Sequence, residues 1–240
     1  MPSECAARRG DDMLTIKNER ARNVLRVVIP FVLIPAAAII GEVVFDEKRY
    51  LFTSLFIAVL SVVLFLAGFE KKSTGTRRMV IAAVMIALSV AGRFIPFFKP
   101  VTAVTVITAV WLGGETGFLV GSFSALLSNF YFGQGPWTPF QMLAWGFIGL
   151  FAGLLAEPLR HHRALLLIYG VLSGVVYSLI MDIWTVLGYS NIFNWGLYLA
   201  ALATAAPYIV MYSVSNFIFL FFMAKPFGEK LSRIKIKYGI

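Results

Sequence analysis

The residues of this chain that could do chemistry are polar side chains in strongly apolar surroundings. Two ionisable residues, Arg93 and Asp182, lie inside long apolar runs. Burying either charge in hydrocarbon is costly, so each needs a partner or a polar cavity. Arg93 could snorkel to the interface, or it could bind an anionic or carbonyl group of a ligand. For Asp182, a structural ion pair with Arg93 is the simplest interpretation. The functional alternative is a ligand contact or a proton-linked role.

A second group of candidates combines aromatic rings with neutral amides. These residues occupy segments 92–100, 131–141 and 188–195, and the last two segments contain no charge. Trp and Tyr alone would fit the interfacial belt of a membrane protein, whereas rings beside a few converging amides are typical of a small-molecule pocket. The residues that we expect to bind a substrate are Arg93, Asn129, Gln134, Trp137, Gln141, Asp182, Asn191, Asn194 and Trp195.

No catalytic motif accompanies these candidates. The sequence has no Gly-x-x-x-x-Gly-Lys-Ser/Thr nucleotide loop, no His-Glu-x-x-His zinc motif and no nucleophile elbow. Its one cysteine, Cys5, excludes a disulfide framework or a Cys-based metal site, and its two histidines, His161 and His162, are adjacent in a short loop. We therefore expect no catalysis, no metal and no cofactor. An integral membrane enzyme and a ligand-free scaffold or sensor remain the alternatives.

The elements that must position these residues are transmembrane helices. The chain has 240 residues, of which 59% are hydrophobic and only 14% charged. A soluble domain is about 25% charged, and one of this size could not bury so much apolar surface. Lipid forces the backbone to satisfy its own hydrogen bonds. Non-alternating apolar runs of about 20 residues then predict helices rather than a barrel.

The apolar runs predict an all-α integral membrane protein with about eight transmembrane helices. A polar tail, residues 1–23, precedes two helices within 24–69, and a charged linker follows at 70–78. A core with six further runs occupies 79–226, and a basic tail occupies 227–240. The six runs lie at about 79–97, 101–112, 117–132, 139–156, 164–187 and 197–224.

The positive charge is distributed as in a membrane protein, not as in a nucleic-acid-binding protein. The net charge is +9, but the basic residues lie at the ends of the apolar runs. With the N-terminus inside, 17 of the 21 Lys and Arg residues fall on the inner side. This bias predicts that both termini are cytoplasmic. It also predicts that the three candidate segments lie on the outer side.

Small residues recur at four-residue spacing, which lets helix backbones approach closely. We interpret three glycine pairs as internal packing: Gly117 with Gly121, Gly149 with Gly153, and Gly170 with Gly174. A stripe of Ala83, Ala87 and Ala91 on the first core helix could instead be an external docking face. The sequence does not separate these two roles for the alanines.

Together these features resemble a known family. Segment 79–226 resembles the S component, the substrate-binding membrane subunit, of an energy-coupling-factor (ECF) vitamin transporter. Ala83-Val84-Met85-Ile86-Ala87 is similar to the family's Ala-x-x-x-Ala docking motif. The stretch 133–142, which reads Gly-Gln-Gly-Pro-Trp-Thr-Pro-Phe-Gln-Met, resembles a segment of S components associated with cobalamin or cobalamin precursors. The two helices before the core depart from the family pattern.

The resemblance implies a mechanism without chemistry in this chain. An S component binds a vitamin from outside with high affinity and docks through its alanine face onto a membrane coupling subunit. Two cytoplasmic ATPases drive that subunit, and the S component topples in the membrane to release its cargo. The expected location is a bacterial or archaeal cell membrane, with cobalamin or a cobalamin precursor as the expected cargo.

Overall fold

The computed structural model describes residues 18–44, 49–68, 75–190 and 192–238, apart from the side chains at 75 and 76. The regular structure within these ranges is entirely helical, as the apolar runs predict. The helices are α1 (Glu19–Val44), α2 (Tyr50–Ala67), α3 (Gly75–Gly92), α4 (Val101–Leu112), α5 (Gly114–Phe132), α6 (Trp137–Leu154), the short α7 (Ala156–His161), α8 (Arg163–Ser190) and α9 (Trp195–Tyr238).

The outer surface of the bundle is apolar, as a lipid-facing surface must be. Large side chains such as Phe52, Phe130 and Phe222 are exposed on it. By length and composition, α1, α2, α8 and α9 are each able to cross a membrane, and α4 is a shorter apolar helix. The central helices contact other helices more than lipid, so Thr, Ser and Gly replace part of their large apolar content. The predicted all-α membrane protein is confirmed.

Helix α4 lies at the centre of the bundle and packs against α3, α5, α6 and α9. Nearly all of its residues are buried. A single residue, Gly113, turns the chain from α4 into α5 with a φ of 101°, which a residue with a side chain rarely adopts. The short predicted run at 101–112 is therefore a complete helix of that length.

The glycine pairs are internal packing, as predicted. A Cβ atom added to Gly149 would lie 2.4 Å from the backbone of Gly117, so α5 and α6 touch through their main chains. Residues of α9 lie against Gly170 and Gly174 in the same way. Close backbone contact of this kind is the expected use of small residues between membrane helices.

Helix α9 is longer than the sequence predicts. We expected a helix to about residue 224 and then a basic tail, but α9 continues through Pro226 to Tyr238. The cause is tertiary packing: Gly228 lies against the ring of Trp111, and Leu231 is buried. These contacts offset the backbone hydrogen bond that a proline removes from a helix.

The two N-terminal helices attach to the core through α5 and α6. Helix α1 contains a π-helical turn at Ile29–Leu33, next to Pro35, whose ring disfavours a regular turn before it. Arg26 of α1 forms an ion pair with Glu115 of α5, with 2.5 Å between the guanidinium nitrogen and the carboxylate oxygen. Helix α2 packs along α5, beside α3.

Candidate functional site

A buried cluster of polar side chains lies where α3 ends and where α5 and α6 meet. Arg93 immediately follows α3 and is only 8% exposed. Its Nη1 donates to the Oγ of Ser128 and, over 2.7 Å, to the Oδ1 of Asn129. Neither partner carries a charge, so the two hydrogen bonds leave the charge of Arg93 unneutralised.

Asn129 connects Arg93 to the next helix. It is 1% exposed, and its Nδ2 donates to the Oγ1 of Thr138 over 2.9 Å and to the Oε1 of Gln141 over 2.8 Å. Gln141 in turn donates from its Nε2 to the hydroxyl of Tyr177 on α8, over 3.1 Å. Side chains from α3, α5, α6 and α8 therefore form one continuous network.

Aromatic rings enclose this network. The guanidinium of Arg93 lies 5.2 Å from the ring centroids of both Phe132 and Trp145, which is cation–π range. The Trp145 ring stacks on Tyr177, and Tyr177 makes an edge contact with Tyr212 of α9. Trp145 and Tyr177 also bury apolar area against the core. Apolar walls with a few convergent polar groups are typical of a small-molecule site.

Two further candidates, Gln134 and Trp137, flank the network at the start of α6. Gln134 accepts a hydrogen bond from Thr138 and donates to the carbonyl of Leu126, so its amide is engaged within the protein. The ring of Trp137 contacts Trp184 of α8 edge-on, with 5.8 Å between centroids. The structure thus brings Arg93, Asn129, Gln134 and Gln141 together, with Trp137 beside them.

Asp182 does not pair with Arg93, so the simplest interpretation of these two charges was wrong. In the described residues no ion pair joins them, and Asp182 accepts one long hydrogen bond of 3.5 Å from Ser178 on its own helix. Arg93 instead donates to Ser128 and Asn129 of α5. Both residues are buried, so each requires its own explanation.

Two other candidates, Asn194 and Trp195, lie at the start of α9, and no hydrogen bond or ring contact in the described residues joins them to the network. The Oδ1 of Asn194 accepts the backbone N–H of Leu197, which makes Asn194 the N-terminal cap of the helix. Trp195 is 71% exposed, and its ring contacts those of Phe193 and Tyr198, which are neighbours in the same segment. Asn191 lies outside the described residues.

The sequence did not single out four residues that complete the network: Ser128, Thr138, Trp145 and Tyr177. Hydroxyl side chains are common on membrane helices, so Ser128 and Thr138 gave no signal alone. Their spacing did give a signal. Ser128 and Asn129 lie near the end of one helix, Thr138 and Gln141 lie near the start of the next, and a tight turn joins the two helices. Tyr177 was detectable only as a polar ring within an apolar run.

The network has more hydrogen-bond donors than acceptors. The Nε of Arg93 is buried without a partner, and no acceptor within the described residues takes the hydroxyl hydrogen of Tyr177. Gln141 donates only one of its two amide hydrogens there. Unmade hydrogen bonds of buried groups are costly. A cationic, donor-rich cluster is therefore suited to a molecule that presents carbonyl or anionic oxygens.

The alanine stripe of α3 lies on the surface. Ala83, Ala87 and Ala91 are all exposed, and the first two line an apolar groove of about 400 Å³. Helix α2 supplies Val62 and Phe65 to this groove, and α5 supplies Leu119, Phe123 and Leu127. Within the described chain the stripe is therefore not covered by another helix of this protein.

The comparisons with known proteins agree with this architecture. No curated protein and no solved structure matches the chain. A family model described as "ECF-type riboflavin transporter, S component" matches residues 73–233, which is more than half of the 240 residues. The match covers α3 to α8 completely and nearly all of α9, and it leaves α1 and α2 outside. This chain belongs to the family of ECF-type riboflavin transporter S components, the substrate-binding subunits of membrane importers.

Proposed function

We propose that this protein captures a vitamin on the outer face of the membrane and passes it to an ATPase-driven coupling subunit. The observation that carries the proposal is the buried, donor-rich network of Arg93, Asn129, Gln141 and Tyr177. It lies at the outer end of the bundle in the orientation that the charge bias predicts. The chain itself performs no chemistry in this scheme.

The proposed binding mode assigns separate roles to charge and rings. Arg93 and Tyr177 donate to carbonyl or anionic oxygens of the vitamin, and Gln141 supplies its free amide hydrogen. The rings of Phe132, Trp145 and Tyr212 provide apolar area. Of the remaining candidates, Gln134, Trp137 and Asp182 are outer contacts in this proposal. Asn191, Asn194 and Trp195 stay predictions from the sequence, and variants of each test them individually.

A flavin is the first substrate to test. Riboflavin is named in the description of the matching family, and its ring system offers two carbonyl oxygens and a planar apolar face. Cobalamin or a cobalamin precursor is the second candidate, because the stretch 133–142 resembles that of cobalamin-associated S components. The cobalamin assignment stays a prediction, since no comparison supports it.

The alanine stripe suggests how the loaded protein meets its coupling subunit. Ala83, Ala87 and Ala91 have small side chains, so a partner helix can approach the backbone of α3 closely. The groove beside them is apolar, so a membrane helix of the coupling subunit fits it better than a soluble protein. Helix α2 forms the opposite wall. We propose that α2 takes part in this contact.

The test begins with the ligand that the protein retains. Mass spectrometry of the protein purified gently in detergent identifies it, and titration with riboflavin and with cyanocobalamin then measures the affinity for each. Arg93→Gln removes the charge and most of the N–H donors. We expect it to weaken vitamin binding by at least about thirtyfold, which corresponds to about 2 kcal/mol. Leu88→Gln, an exposed position on α3 outside the groove, is the control.

Two results would overturn the proposal. The first is a purified protein that neither retains a vitamin nor binds either test compound. The second is an Arg93→Gln variant with the same affinity as the parent protein, because the network would then not be the binding site.

A further inference from the structure

A second cavity lies at the opposite end of the bundle, the end predicted to be cytoplasmic. Its volume is about 530 Å³, and it lies between the α7–α8 turn and the last third of α9. Leu159, Leu166 and Ala224 form a buried apolar floor, and Trp111 of α4 lies beside them. The family comparison assigns no function to this cavity.

Cations from two parts of the chain converge on the rim of this cavity. Arg160 and Arg163 come from the α7–α8 turn, and Lys225 and Arg233 come from α9. Glu229 is the only acidic residue among the lining residues of the described chain. Basic residues at cytoplasmic helix ends are ordinary. Here, however, they surround one concavity instead of spreading over a solvated face.

The two guanidinium groups are held in place by the protein itself. Arg160 donates from Nη2 to the carbonyl of Val110 over 2.6 Å, and Arg163 donates from Nη2 to the carbonyl of Phe221 over 2.8 Å. In the described residues neither arginine forms an ion pair, so their other N–H groups are available. Fixed guanidinium forks are well suited to phosphate, because they offer two parallel N–H donors.

The surroundings of the cavity favour a lipid over a soluble anion. The Arg163 guanidinium lies 4.1 Å from the ring centroid of Phe221, and Phe221 and Phe222 are both exposed on the apolar surface of α9. A molecule whose phosphate binds the two arginines would therefore extend directly into the hydrocarbon of the membrane. The apolar floor is suited to a glycerol backbone and the upper parts of acyl chains. A free phosphate would use the rim and leave this floor empty.

We propose that this cavity binds the headgroup of an anionic phospholipid of the cytoplasmic leaflet. Arg160 and Arg163 bind the phosphate, Lys225 and Arg233 add attraction, and the chains run along the phenylalanines of α9. Each surface cation near an anionic lipid contributes roughly tenfold in affinity or less. The lipid would join α4, α8 and α9 at one end of the bundle. The inference rests on fold and charge and is independent of the vitamin site.

The experiment uses the whole protein in a neutral detergent with dioctanoyl phosphatidylglycerol as the probe. Native mass spectrometry measures binding, with dioctanoyl phosphatidylcholine and sodium phosphate as the comparison compounds. We expect phosphatidylglycerol alone to bind. The double variant Arg160→Gln/Arg163→Gln should weaken it about thirtyfold, as the loss of two cations predicts. The control Lys230→Gln/Lys237→Gln removes the same charge from exposed residues that do not line the cavity.

Ser232→Phe is the second variant, because it fills the cavity without changing the charge. It should abolish binding of phosphatidylglycerol while leaving the thermal melting temperature close to that of the parent protein. Equal losses in the two double variants would overturn the proposal, since general attraction would then explain the binding. Free phosphate binding as tightly as the lipid, or unchanged lipid binding by Ser232→Phe, would also overturn it.

Discussion

At the residue scale, the central feature is a buried arginine whose partners are all neutral. Ser128 and Asn129 accept two of its hydrogen bonds, and two rings lie against its guanidinium, but no carboxylate of the described chain neutralises it. Burying a charge without an ionic partner costs folding free energy. Its retention in this setting is therefore better explained by ligand binding than by stability.

Asn129 and Asn194 provide a direct test of where the vitamin binds. Asn129→Ala removes one hydrogen-bond partner from each of Arg93, Thr138 and Gln141, so we expect loss of stability of about 1–3 kcal/mol together with loss of riboflavin affinity. Asn194→Ala removes a helix cap, so it should cost about 1 kcal/mol of stability with unchanged affinity. Thermal melting and riboflavin titration measure the two effects.

Asn194→Asp is the matched control, because aspartate also caps helices and should restore stability. The opposite pattern of affinities would show that the vitamin binds outside the Arg93 network. If Asn194→Ala weakened riboflavin binding and Asn129→Ala did not, the pocket would lie at the start of α9. Trp195 would then become the first ring to examine.

The sequence predicted which polar residues lie together better than it predicted how they contact one another. Arg93, Asn129, Gln134 and Gln141 stood out as polar residues in apolar surroundings, and they do lie together. The sequence could not show that Arg93 faces α5 and not Asp182, because that depends on helix rotation. Nor could it reveal Tyr177, which reaches the network only because α8 crosses α6 at that level.

At the scale of elements, helix α3 presents an uncovered alanine stripe beside a groove that α2 helps to form. If a helix of the coupling subunit binds there, Ala87→Leu should prevent its approach, because a larger side chain separates the two backbones. We expect co-purification with the coupling subunit and vitamin uptake to be lost. Riboflavin binding by the isolated protein should be unchanged.

Val84→Phe is the control for this prediction, because it enlarges the side chain by about as much as Ala87→Leu does. Val84 is exposed on the same helix and does not line the groove, so a similar enlargement there should leave assembly intact. Equal loss of assembly in both variants would point to a general defect of α3. Loss of riboflavin binding in Ala87→Leu would show that the position acts on the fold and not on docking.

Helix positions were predictable where apolar runs were bounded by charge or by turn residues. The turn at Gly113 and the glycine contacts of α5 with α6 follow from small residues in the sequence. The extension of α9 to Tyr238 was not predictable, because a basic, proline-containing segment resembles a tail. Only the tertiary contacts of Gly228 and Leu231 explain why it is helical.

At the scale of the whole molecule, charge is asymmetric between the two ends of the bundle. The proposed vitamin-binding network is at the end with few Lys and Arg residues, and the proposed lipid-binding cavity is at the end with many. Capture from outside requires the vitamin network to face outwards. The orientation of the protein is therefore the assumption that connects both proposals.

Cysteine labelling determines this orientation. In a Cys5→Ser background, Tyr189→Cys places a thiol at a position that is 85% exposed, at the C-terminal end of α8. Lys230→Cys places one on the exposed side of α9, near its C-terminal end. The positive-inside rule predicts that a membrane-impermeant maleimide labels position 189 in intact cells and position 230 only after lysis. The reverse pattern would place the vitamin network on the cytoplasmic side, where it could not take up a vitamin from outside.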